Sequence, residues 1–163
     1  MKTLISMFRL LRYVILSTNF IVVIVLPTLS QQQTDTLRVS GKAVVLFAPA
    51  QAERDSLPEK DRDDMEEVMA DYGEYASRIL RFLDSLKISS YETTATRFLV
   101  IQQGGSPVFF DRKSLGSDLG FIFFLQGKKP TVFTGVHTDL ELRPTIIEYF
   151  GVSNHNAIDQ LKR

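Results

Sequence analysis

The sequence predicts an α/β fold: one domain, residues 37–151, on a central mixed sheet, with a long helix after the first core strand and a C-terminal helix. Three observations carry this. Ala43–Phe47 is an unbroken apolar run, the mark of a strand buried on both faces. From Met65 to Leu86, apolar residues recur at steps of three and four, the period of an amphipathic helix. Beyond it, apolar runs alternate with Gly-bearing turns, which reads as hairpins.

The elements follow in order. Gln31–Thr36 is polar and reads as a flexible lead-in, and Leu37–Val39 as a short edge strand. Ala43–Phe47 is the central, parallel strand, closed by Ala48-Pro49-Ala50. Gln51–Asp63 is polar and charged, with Pro58 inside it, and reads as a loop. The helix is expected over Asp64–Leu86, with Asp63, Asp64, Glu66 and Glu67 at its N-terminal end and Arg78, Arg81 and Lys87 toward the other, each sign where the helix dipole favours it. Its buried face should hold Val68, Tyr72, Ile79 and Leu83. Gly73 weakens its middle by about 1 kcal/mol relative to Ala, or lets another backbone approach.

Ile88–Thr94 reads as the next strand. Arg97–Gln102 and Val108–Asp111 flank Gly104-Gly105-Ser106-Pro107; Phe121–Gln126 and Thr131–Thr134 flank Gly127-Lys128-Lys129-Pro130. Thr138-Asp139-Leu140-Glu141 fits a capping box with Thr138 as N-cap. Leu142, Ile146, Tyr149 and Phe150 share a face of the helix that follows. Pro144 either kinks that helix or marks its first turn. Gly151 is the natural stop, and residues 152–163 read as a tail.

Residues 1–30 read as an export leader. Lys2, Arg9 and Arg12 precede the apolar run Tyr13–Leu26, Pro27 breaks it, and Thr28-Leu29-Ser30 offers small residues for cleavage before Gln31. The alternative is an uncleaved anchor over residues 13–29, which at 17 residues is short against the roughly 20 that span a bilayer. Either way the domain is exported, to the periplasm or medium or tethered facing outward. The membrane is a partner only through this segment.

Composition narrows the chemistry. Without residues 1–30 the chain has 16 basic and 19 acidic residues, a net of about −3, which argues against a nucleic-acid partner. Cysteine is absent, which removes thiol catalysis, Cys-based zinc sites and disulfide exchange. Tryptophan is absent too, and among the 12 Phe the short runs Phe109-Phe110, Phe121 and Phe123-Phe124 suit buried strands. No cofactor or metal is expected.

The order of elements resembles the thioredoxin-like fold superfamily. Val44-Val45-Leu46-Phe47-Ala48-Pro49-Ala50-Gln51-Ala52-Glu53-Arg54-Asp55 looks like its central strand and active-site loop. Phe121–Phe150 looks like its last hairpin and C-terminal helix. The likeness covers roughly residues 41–151 and implies a divergent member. In that register Ala52 and Asp55 stand where the family has its redox cysteines. The family's cis-proline position falls on Leu119-Gly120, or on Ser106-Pro107 if Val108–Asp111 is the matching strand.

Candidate sites are few. His137 and Asp139 flank Thr138 and suit an acid–base pair or half a metal site, against their plainer use at a helix start. The 48–58 loop follows the carboxyl end of a central strand, where α/β sheets form their crevices; Gln51, Glu53, Arg54 and Asp55 would line it. Glu53–Glu67 holds eight acids and three bases without EF-hand spacing. Gly104-Gly105-Ser106 precedes a strand, not the helix that a phosphate cradle uses. The leading expectation is a non-catalytic binding module of the envelope or medium. The rivals are a hydrolase using His137 with Asp139 or the 51–55 segment, and a structural envelope component held by its N-terminal segment.

Overall fold

The computed structural model describes residues 34–152. The leader, its cleavage point, the anchor alternative and His155 lie outside them. Among the described residues no helix is long and apolar enough to cross a membrane.

The elements run β1 (Asp35–Val39), β2 (Lys42–Phe47), α1 (Gln51–Asp55), α2 (Glu59–Ser85), β3 (Ser89–Thr93), β4 (Arg97–Gln102), β5 (Val108–Asp111), α3 (Arg112–Leu115), β6 (Gly120–Leu125), β7 (Thr131–Thr134) and α4 (Asp139–Phe150). They form a four-stranded sheet, β3-β2-β6-β7, and a three-stranded sheet, β1-β4-β5. β2 is parallel to β3 and antiparallel to β6, β6 is antiparallel to β7, β1 is parallel to β4, and β4 is antiparallel to β5. The strand antiparallel to β2 is thus β6, so Leu119-Gly120 leads into it and Ser106-Pro107 belongs to the other sheet.

Strand periodicity sends alternate residues of β2 to two cores. Val44 and Leu46, with Phe121 and Phe123 of β6, meet Tyr72, Ile79 and Leu83 of α2 and Leu142, Ile146 and Phe150 of α4. Ala43, Val45 and Phe47, with Ile122 and Phe124, meet Val39, Phe98, Val100 and Phe110 of the three-stranded sheet. The second core is stitched by aromatics: Phe98 stacks on Phe110 at 5.3 Å, and Phe110 meets Phe124 edge-on at 5.9 Å. Asp35 of β1 accepts a hydrogen bond from the Thr93 hydroxyl of β3 at 2.9 Å, tying the two sheets.

Several expectations need correction. Residues 35 and 36 belong to β1, not to a lead-in. The 51–55 segment is a helical turn, and α2 begins at Glu59, not Asp64. Pro58 is its N-cap and its carbonyl accepts from Arg62 N–H at 2.9 Å. Glu59 and Asp61 in its first turn suit the dipole. This turn has no apolar face, so periodicity misses it. Val68 is 39% exposed, whereas Tyr72, Ile79 and Leu83 are buried. Pro144 lies inside α4 and not in its first turn. Its ring removes the bond to the Leu140 carbonyl, but Leu140 is exposed, so water can take that acceptor. The Thr138 capping box and the left-handed Gly151 cap are both present.

Candidate functional site

The four candidates of the 51–55 segment part ways on α1. Gln51 donates to Asp55 at 2.8 Å and accepts from Arg54. Arg54 also pairs with Glu66 of α2 at 3.0 Å, pinning α1 to the long helix. Glu53 turns away and meets Arg112 at 2.5 Å.

Gln51 and Arg54 line a cleft of about 380 Å³ with Ala48 and Pro49, the ends of β2 and β3, and one side of α2. The cleft therefore opens at the carboxyl ends of two parallel strands, where α/β sheets place ligands. Leu46, Met69 and Leu80 supply apolar wall, and Gly73, Ala76 and Ser77 form the α2 side. Gly73 is exposed and a Cβ there would meet nothing within 4 Å, so close packing does not require the glycine.

Tyr72 lies at the inner end. Its hydroxyl donates to the Gly120 carbonyl at 3.1 Å and approaches the Phe47 carbonyl at 3.4 Å, tying α2 to the adjoining ends of β2 and β6. Burial, and then the Glu92 carboxylate, push this phenol well above its ordinary range, so it stays a donor. Beside it, a Cβ on Gly120 would lie 2.1 Å from the Phe133 carbonyl oxygen; only glycine fits.

The residue that sequence reasoning missed is Arg112. Its side chain is 0% exposed. It donates to Ala95 O at 3.3 Å, Asp118 O at 3.1 Å and Thr96 Oγ1 at 3.4 Å besides Glu53. It thus joins α1, the β3–β4 connection and the approach to β6 at one point. An arginine that follows a strand ending in Asp111 reads as surface, and nothing local signals its burial. Its closest carboxylate, Glu53, is 59 residues away, and the nearer one in sequence, Asp118, stands off at 3.8 Å.

His137 and Asp139 are not brought together. His137 Nε2 is 3.0 Å from Thr134 O, and its ring lies edge-on to Phe133. Asp139 is buried and pairs with Arg143 at 2.9 Å, with Arg78 of α2 at 3.9 Å. Thr138 is spent on the capping box. The acid–base pair has no shared geometry. No group of three or more His, Cys, Asp or Glu placed to hold a metal occurs among the described residues.

No protein-family model, curated protein or solved structure matches this chain.

Proposed function

We propose that this chain is an exported, non-catalytic binding domain on a thioredoxin-like frame, and that it holds a small ligand in the cleft between α1, α2 and the ends of β2 and β3. The observation that carries this reading is the place of the cleft at the carboxyl ends of the parallel strands β2 and β3, lined by Gln51, Arg54 and Glu92 with exposed Gly73 at its edge. The strand order β3-β2-β6-β7 supports the frame. With Ala52 and Asp55 at the redox positions, the frame works by holding a ligand and not by thiol exchange. The hydrolase that pairs His137 with Asp139 loses support, since Asp139 is held by Arg143 and the carboxylate beside His137 Nδ1 is that of Glu141, at 3.8 Å. The leader supports work in the periplasm or medium, or at the membrane face if it stays attached.

A fragment mixture screened against the full chain by ligand-observed NMR tests this. Hits should vanish on Gly73→Leu, which fills the cleft, and survive His137→Ala. The reverse pattern would move the site to the start of α4 and favour the hydrolase.

A further inference from the structure

Most polar side chains around the cleft are already committed to protein partners. The Tyr72 hydroxyl is spent on Gly120 O, Ser77 Oγ on Gly73 O, and Gln51 on Asp55 and Arg54. The Thr93 hydroxyl donates to Asp35 and accepts from Ala95 N–H. Two charged side chains retain capacity. Arg54 is 14% exposed; its two terminal nitrogens each have one acceptor, Glu66 and Gln51, and each keeps a second N–H, while its Nε–H has no acceptor among the described residues. Such a donor favours any acceptor that reaches it. Glu92 is exposed on the edge strand β3 and forms no ion pair among the described residues.

We propose, building on the cleft reading above, that the ligand is a small zwitterion with an apolar body. Its carboxylate accepts from Arg54, its ammonium faces Glu92, and its apolar part lies on Leu46, Met69 and Leu80. A plain anion would meet the Glu92 charge without compensation, and a plain cation would leave the Arg54 donor unmet. The volume of about 380 Å³ lies near the small end of the roughly 300–1,000 Å³ range of ligand pockets. It suits a single amino acid or a dipeptide better than a long peptide.

Four compounds sharing one side chain separate the terms: leucine, leucinamide, N-acetylleucine and N-acetylleucinamide. Titrated into the isotope-labelled full chain, leucine should shift residues of 46–54, 69–80 and 92–94. It should bind about tenfold or more tighter than each of the others, the size expected for a hydrogen bond to a charged group. Glu92→Gln should remove its advantage over N-acetylleucine, and Gly73→Leu should abolish binding. Equal binding of leucine and either singly charged compound, or shifts elsewhere in the chain, would overturn the proposal. If other fragments fill the cleft while all four compounds leave it empty, the zwitterion falls and the cleft stands. If nothing fills it, both fall.

Discussion

Two buried polar residues hold the ends of the strands together. Removing the guanidinium by Arg112→Ala leaves the Ala95 and Asp118 carbonyls without their donor and Glu53 without its partner. Glu53 is 41% exposed and regains water, so the expected loss of about 2–4 kcal/mol comes from the orphaned carbonyls and the emptied space, read from urea unfolding. Arg112→Lys should recover only part of it, since an ammonium cannot reproduce the planar fork. Tyr72 gives a pH signature. Its folded-state pKa is raised above the ordinary 10.0, so its contribution is complete below that pH and is lost as pH rises beyond it. Unfolding followed from about pH 8 to about 11 should show a shallower alkaline decline in Tyr72→Phe than in the parent chain. At this scale the caps of α4 were legible, because Thr138, Glu141 and Gly151 act on their own neighbours in the chain. Arg112 was not, because its partners come from three separate segments.

Among the elements, α2 and α4 carry most of one core. Leu83 is fully buried and Val68 is 39% exposed. Leu83→Ala should therefore cost about 2–5 kcal/mol, while Val68→Ala should stay within about 0.5 kcal/mol. Chemical denaturation of the pair checks which face of α2 is inward; equal losses would reverse the assignment. Thr138→Ala should cost about 1 kcal/mol through the lost cap, read from the same denaturation. Strand and hairpin positions were readable to within a residue or two, since alternating burial and Gly-bearing turns are local signals. The charged start of α2 and the turn α1 were not. Their stability comes from Arg54–Glu66 and Glu53–Arg112, pairings that no sequence window contains.

For the whole molecule, the layers explain why a cleft exists where it does. Helices α2 and α4 cover one face of the four-stranded sheet, and the three-stranded sheet covers the other. The carboxyl ends of β2 and β3 are bordered by α1 and by Met69, Tyr72, Gly73, Ala76, Ser77 and Leu80 of α2. The sequence pointed to the 48–58 segment through the general geometry of α/β sheets, but it did not show that Gly73, Tyr72 and Glu92 would share that space. Those residues come from α2 and β3, and only the parallel pairing of β2 with β3 brings them alongside. If the cleft is a site and not a packing feature, the fold does not need the exposed, unpacked Gly73 at its edge. Urea unfolding of Gly73→Ala tests it most directly. Nothing lies within 4 Å of the added methyl group, so stability should rise by about 0.5–1 kcal/mol; an unchanged or lowered value would mean that the space is already used by the fold, and the cleft would lose its claim as a site.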